Sequence, residues 1–413
     1  MWAEKSVFYQ IYPLGFCDAP KENDGVTVSR ILKVLDWTGY LKELGIDAVL
    51  FNPLLDSDRH GYDTRDYGKI DCRLGTNEDF QKVCRDLHEH GIKVVLDGVF
   101  NHVGRGFWAF LDVQDNREQS KYKDWFHIDF NGNSNYNDGF WYDGWEGHYD
   151  LVRLNLQNPE VVKYLLDSVA SWVKEFDIDG LRLDVAYLLD KEFLKTLRTF
   201  CDGLKDEFIL IGEVLFGDYN QIVNPEMLHS CTNYECYKGL YSSFNDMNMF
   251  EISHSLNRQF GSEDWCLYTG KHLMSFVDNH DVSRIASILN NKSHLRAVYG
   301  LLFSMPGIPC LYYGSEWGEP GLKGDGDEML RPSFEQPKPN ELTKFIKQLI
   351  QIYKQHDVLS MGTFRNVQIT NKQLVIERKY KEECIWAAIN ADSEKCEIQG
   401  ITLEPYEFKL VKQ

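Results

Sequence analysis

"GLRLDVA", Gly180 to Ala186, sets four apolar side chains beside a glycine, an arginine and an aspartate. A run this apolar belongs inside a protein, where unpaired charges are expensive. Strand side chains alternate faces, so Leu181, Leu183 and Val185 share one face and Arg182 and Asp184 the other. In a closed parallel barrel the leucine face meets covering helices. Arg182 and Asp184 then point inside, near the strand's C-terminal end, where barrel enzymes build their sites. There the guanidinium would lower the carboxylate pKa and keep it ionised. Taken alone, the two could equally be a structural ion pair.

The surrounding chain repeats the pattern. Apolar runs of strand type are "SVFYQIY" from Ser6, "DAVLFNP" from Asp47, "IKVVLDGVF" from Ile92, "FILIGEV" from Phe208, "HLMSFVDN" from His272 and "GIPCLYYG" from Gly307. Helix-period segments separate most of them, such as "TNEDFQKVCRDLHEHG" from Thr76 and "NPEVVKYLLDSVASWVKEF" from Asn158. Near-continuous apolar strands alternating with amphipathic helices indicate a parallel sheet covered on both faces. With "CTNYECY" from Cys231 as a weaker candidate, the strands number eight. An α/β fold of the (β/α)8 TIM barrel type is favoured over an open doubly wound sheet.

Two regions break the rhythm. Residues 101–156 hold no clean βα unit and are rich in Asn, Gly, Asp and aromatics, which predicts a small domain inserted after the third strand. From about His356 the chain reads as β-strands, predicting a C-terminal antiparallel β-domain over 356–413. The barrel then comprises 1–100 and 157–355.

Composition narrows the function. The 413 residues carry a formal charge of −19, which argues against nucleic acid or an anionic membrane as partner. "MWAEKSVFYQ" lacks the basic and apolar segments of a secretory signal. The longest uncharged run, "AVYGLLFSMPGIPCLYYG" from Ala297, is punctuated by prolines and glycines and reads as helix, turn and strand, not a membrane span. The ten cysteines form no CxxC pair or zinc-like spacing, so reduced thiols in a cytoplasm are expected. Oligomeric state is not legible.

Polar residues gather at the C-terminal ends of several strands. "VVLDGVFNH" ends with Asp97, Asn101 and His102, "ILIGEV" carries Glu213, and "SFVDNHD" carries Asp278, Asn279, His280 and Asp281. Barrel closure brings those ends together, and burying like charges is expensive unless a function retains them.

In that order "DGVFNH", "GLRLD", "GEV" and "FVDNHD" resemble the four sequence signatures of the α-amylase superfamily of glycoside hydrolases. "GIDAVLFNP" and "GIPCLYYGSE" resemble it too, and the likeness runs from about Ser6 to Glu316. The resemblance implies a catalytic barrel, a domain inserted after the third strand and a C-terminal β-domain. Carried over, Asp184 matches the nucleophile, Glu213 the general acid/base, and Asp281 the third carboxylate, which holds sugar hydroxyls. Arg182 supports Asp184, and His102 and His280 bond hydroxyls of the sugar being cleaved.

That chemistry suits the residue types. Retaining cleavage needs two carboxyl groups about 5–5.5 Å apart, one ionised to attack and one protonated to donate. Arg182 is expected to lower the pKa of Asp184, and neighbouring negative charge to raise that of Glu213.

Further segments narrow the substrate. "HGYDTRDYGKID" from His60 resembles the segment that sets a tyrosine, here Tyr62, beneath the sugar ring. "GDGDEMLRP" from Gly324 resembles a neopullulanase and cyclomaltodextrinase segment whose Asp and Arg, here Asp327 and Arg331, bind hydroxyls. "LVRLNLQNPEV" from Leu151 is also nearer to that group, without its N-terminal module, than to secreted α-amylases. The implied function is a cytoplasmic retaining hydrolase of α-1,4-linked glucose oligosaccharides (maltodextrins or cyclodextrins), with α-1,6 bonds as further substrates. The alternatives are a transglycosylase with the same nucleophile and a catalytically dead glycan-binding protein. No cofactor is expected. Asn101 fits one ligand position of the family's calcium site, but Leu188 and Asn155 do not. The aromatic run "YNDGFWYDGWEGHYD" from Tyr136 either stacks on sugars or fills the core of the insert.

Overall fold

Eight short parallel strands form the centre of the computed structural model, which describes residues 1–413. They are β1 (Phe8–Ile11), β2 (Ala48–Phe51), β3 (Lys93–Gly98), β4 (Gly180–Leu183), β5 (Ile209–Gly212), β6 (Ser230–Cys231), β7 (Met274–Phe276) and β8 (Ile308–Tyr312). From β1 to β6 each strand pairs with the next, and β8 pairs with both β7 and β1. One parallel bridge, Thr232 to Met274, joins β6 to β7 and closes the cylinder. The fold is therefore the barrel, not the open doubly wound sheet.

Side-chain alternation sorts the strands into an outer and an inner face. Tyr9, Val49, Phe51, Val94, Leu96, Leu181, Leu183 and Leu210 point outward into the main core beneath the helices. The inward set is apolar at the lower end, where Phe8, Ala48, Leu50, Val95, Ile209, Ile211, Met274 and Phe276 form a separate cluster. At the upper end it turns polar, with Gln10, Asn52, Asp97, Arg182, Asp184 and Glu213 all buried. Register makes this juxtaposition: Arg182 lies beside Asp97 of β3 and Ile211 of β5. Gly180 opens β4 because a Cβ there would meet the Ile209 carbonyl oxygen at 2.6 Å.

The intervening helices begin where the sequence provides caps. Thr76 and Asp79 form a reciprocal capping box for the helix Asn77–Glu89. Asn158 caps Pro159–Phe176, which starts with the proline suited to a first helical turn. "CTNYECY" departs from its expected strand character. Only Ser230–Cys231 is strand, and a helix, Tyr234–Asn245, begins inside the run. The reason is Asn233, whose side chain accepts from the Cys236 amide and caps that helix.

Between β3 and β4, His102–Gly104, His148–Arg153 and Gly144–Trp145 make a small antiparallel sheet. Near the C-terminus, Thr363–Ile369, Gln373–Tyr380, Glu383–Asn390 and Phe408–Lys412 make a four-stranded antiparallel sheet. A short helix, Asp357–Met361, precedes it, so helical structure extends slightly past the expected break at His356. Buried Arg378 fastens this sheet to the barrel by donating to the carbonyls of Ser304, Leu359, Gly362 and Thr363. All ten cysteines are free thiols. No helix is long and apolar enough to cross a membrane.

Candidate active site

The inward charges of β4 meet those of β3 and β5 through one guanidinium. Arg182 Nη1 donates to both oxygens of Asp97 at 2.9 and 2.7 Å and to Asp184 Oδ1 at 3.1 Å. Its Nη2 lies 2.7 Å from Glu213 Oε1. The other oxygen of Glu213 accepts the Val185 amide at 3.0 Å. That bond requires Val185 to leave the strand, and it does so with φ 40° and ψ 45°. A left-handed β-branched residue is strained and persists only where its surroundings enforce it. Val185 therefore lines the cavity instead of continuing the outward face with Leu181 and Leu183.

One cavity of about 580 Å³ is walled by Asp184, Glu213 and Asp281 together. Tyr62, His102, Asp327 and Arg331 line it as well. Arg182 and His280 lie just behind its wall, fully enclosed.

Asp281 is clamped from two sides. Its Oδ1 accepts from Arg331 Nη2 at 2.9 Å, and its Oδ2 lies 2.9 Å from His280 Nε2. Burial acts against its charge, but His280 and the Arg331 and Arg182 guanidinium groups outweigh it and hold the carboxyl well below the usual range. The His280 ring itself is kept neutral by burial. Gln10 donates to its Nδ1 at 3.0 Å, so the ring proton sits on Nε2, which is hydrogen-bonded to the Tyr62 hydroxyl and lies beside Asp281. The Tyr62 and Tyr12 rings lie nearly parallel to the imidazole, with centroids 5.8 and 6.1 Å away.

His102 faces the nucleophile position from the insert side, Nε2 lying 3.9 Å from Asp184 Oδ2. Asn101 donates to its Nδ1 at 3.1 Å, and burial pushes its pKa down to about 3. The neutral ring thus carries its proton on Nε2, which is buried with no partner in the protein. Trp145 packs against the ring, and its indole N–H is likewise unpartnered.

Several expectations change. Arg182 does not keep the Asp184 carboxyl low. Burial first, and then the facing charge of Glu213, push it well above the ordinary range against the pull of Arg182. One guanidinium shared by three carboxylates cannot offset the burial of them all, and Asp97 is pushed up as well as Asp184. Asp278 faces away from the cavity, accepting from the Ile285 amide and the Ser315 hydroxyl as a structural acceptor. Arg331 stacks 4.4 Å over Tyr12, grips Asp281 and lies 3.4 Å from Asp327. Asp327 stands at the rim, half exposed, bonded to Lys323 at 2.6 Å. Of the calcium-site positions, the Asn155 amide oxygen accepts from Gln157 and its nitrogen donates to the Asp124 carbonyl. The neighbouring cavity already holds a cation, Arg153, on Asp143 at 2.9 Å. This donor set does not fit calcium.

The motif reading names Asp97 without a role and passes over Gln10 and Asn52. Asp97 is the principal anchor of Arg182, and Asn52 ties Asp97 to Tyr62 at 3.1 and 3.2 Å. The available signal was a polar residue, Gln10 or Asn52, at an inward strand position. In the insert, Phe140 and Tyr142 are core, whereas Trp145 and His148 reach the cavity.

A model of the catalytic domain of the alpha-amylase family matches residues 10–357. The intracellular maltogenic amylase of Bacillus subtilis (strain 168) is 33% identical over 383 residues, 87% of this chain and 63% of that protein. The cyclomaltodextrinase of Thermoanaerobacter pseudethanolicus is 31% identical over 435 residues, 95% of this chain and 71% of the relative. The chain therefore spans somewhat under two thirds of the first relative's length. Among solved structures, the cyclic α-maltosyl-(1→6)-maltose hydrolase of Arthrobacter globiformis, in complex with that cyclic sugar, matches with a TM-score of 0.88 at 25% identity, covering 100% of this chain and 99% of that one. With barrel, strand-end carboxylates and sequence match in agreement, the chain belongs to the α-amylase family of glycoside hydrolases.

Proposed function

We propose that this chain is a retaining hydrolase of α-1,4-linked glucose oligosaccharides, maltodextrins and cyclodextrins, with α-1,6 bonds as further substrates. One observation carries this reading: a single guanidinium holds carboxylates from β4 and β5 at the wall of a cavity that Asp281 also lines. Two carboxyl groups held on one cation are the equipment of double displacement. With the proton on Glu213, Asp184 attacks the anomeric carbon. The bond to the leaving sugar breaks as Glu213 donates to its oxygen, leaving a glucosyl ester on Asp184. Glu213, now a carboxylate, takes a proton from water, whose oxygen displaces Asp184 and restores the α configuration.

The remaining residues hold the sugar. Asp281, kept ionised, accepts from sugar hydroxyls and favours the positive charge of the transition state. The free Nε2–H of His102 donates to a hydroxyl, and His280 orients Asp281. Tyr62 lies beneath the ring, Arg331 positions Asp281, and Asp327 meets the next unit at the rim. The named substrates of the relatives support an α-glucan. We read 101–156 as the insert on the barrel of 1–100 and 157–355, and 356–413 as the C-terminal domain. A cytoplasmic location is supported by the free thiols and by the intracellular relative.

Digestion of maltotriose, cyclodextrin, pullulan and starch tests the reading. Wild type releases glucose or maltose from at least one, and Asp184→Asn releases none. A folded wild type inert toward all four overturns it.

A further inference from the structure

A second cavity lies at the floor of the barrel, at the opposite end from the carboxylates. Its volume is about 240 Å³, room for about eight waters at about 30 Å³ each. Ile209, Ser230 and Ile308, the first residues of β5, β6 and β8, form part of its wall. His229 and Ser230 reach it from the start of β6, and Lys271 and His272 from just before β7. An adjoining cavity of about 170 Å³ shares Lys271 and His272 and is bounded by Arg378 of the C-terminal sheet.

This floor is basic in a chain of formal charge −19. Glu4 is the one carboxylate on the walls of either cavity, and it accepts from the Met1 amine at 3.1 Å. Arg198 is paired with Asp202. Lys271 instead donates to the Val223 carbonyl, and Arg378 to four carbonyls. Burial outweighs every acidic neighbour and lowers the pKa of both cations. Ser230 is 1% exposed, and its hydroxyl has no partner in the protein. Such a group costs free energy unless something in the cavity pairs with it. His229 accepts from the Leu210 amide on Nδ1 at 3.0 Å, and burial pushes its pKa down to about 4. The ring is therefore neutral with its proton on Nε2, a further donor.

We infer that a phosphoryl group binds in this floor cavity, held by the Lys271 ammonium and by the Ser230 and His229 donors, and so ties β6 to β7. Donors from separate chain segments suit a tetrahedral anion with several acceptor oxygens better than a halide. The cavity's size and the chain's negative charge exclude a polyanion. Free phosphate and the phosphoryl end of a small monoester both fit the volume. β6 and β7 share a single parallel bridge, so an anion spanning their N-terminal ends braces the sparsest joint of the cylinder. The site stands apart from the catalytic reading and does not depend on it.

Equilibrium dialysis of the full chain against inorganic phosphate and against glycerol 3-phosphate, at constant ionic strength, tests this. One ligand per chain is expected, with a Kd of about 1 mM or tighter, and the tighter of the two ligands identifies the source. Lys271→Met should weaken binding by more than about tenfold. Ser230→Ala breaks no existing hydrogen bond, leaves the fold intact and should weaken it about tenfold. Saturating ligand should raise the melting temperature of the wild type but not of Lys271→Met, whereas the general stabilising effect of phosphate salts would raise both equally. No saturable binding of either ligand by the wild type, undiminished affinity in Ser230→Ala, or an equal rise in melting temperature in wild type and Lys271→Met overturns the site.

Discussion

Replacing Arg182 by methionine keeps much of the side chain's length and removes its charge, leaving Asp97, Asp184 and Glu213 buried together. The polar support left in their first contacts is then the Asn52 amide and the Tyr62 hydroxyl on Asp97 and the Val185 amide on Glu213. An uncompensated buried carboxylate takes up a proton. Holding a carboxyl of ordinary pKa near 4 neutral at pH 7 costs about 1.36 kcal/mol per unit over about three units, or about 4 kcal/mol. The sign follows from linkage. A carboxyl whose folded pKa is raised, as that of Asp184 already is, binds more protons folded than unfolded above the unfolded pKa. Its stability contribution therefore falls as pH rises toward the folded value. The deficit of Arg182→Met relative to wild type is about 4 kcal/mol at pH 7 and about 1.4 kcal/mol at pH 5. For 413 residues, at about 2.1 cal/mol/K each, unfolding entropy is about 0.87 kcal/mol/K. The melting temperature should thus drop by about 5 °C at pH 7 and by under about 2 °C at pH 5. Circular dichroism melts of both proteins at the two pH values, at constant salt, measure this. A drop equal at both, or greater in acid, refutes a cluster whose charge Arg182 balances.

Glu213→Gln should lower kcat/KM on maltotriose by about 10²–10⁴ but far less on α-maltosyl fluoride, whose leaving group needs no proton; equal losses on both would remove Glu213 from the acid role. Arg331→Met takes away a cation that holds Asp281 low. The acid limb of kcat/KM should therefore move to higher pH, and a stationary limb would show that Asp281 does not depend on that contact. His102→Phe deletes the unpartnered Nε2–H and should cost about tenfold in kcat/KM, the worth of one or two kcal/mol of hydrogen bonding. Since His102 is neutral above about pH 3, the pH profile should keep its shape; a limb near pH 6 that vanished in the variant would contradict this.

Much of the barrel and its charged mouth is legible because burial and alternation act locally. Arg182 and Asp184 are odd members of an apolar run, and the fold gathers them with Glu213 and Asp281 simply by closing. Less legible is whatever depends on partners distant in sequence. Asp278 and Asp281 sit in one motif, yet the first turns to Ser315 and Ile285 and the second to Arg331. β6 is too short to give a periodic signal, and the Asn233 cap overrides the strand character of the residues after it. The Asp184 carboxyl moves opposite to expectation because burial, and then the charge of Glu213, outweigh Arg182, which a pairwise view gives one partner and the fold gives three.

The joint between β6 and β7 carries a mechanical consequence. Seven of the eight joints between staves are paired along two to four residues, but this one is a single bridge, supplemented by the Asn233 amide on the Met274 carbonyl at 2.8 Å. Breathing of the cylinder should start at this seam, two staves from the nucleophile and next to the stave that bears Glu213. Loosening there would spread the carboxylates before any helix melts, so heat would silence the protein while its secondary structure was still whole.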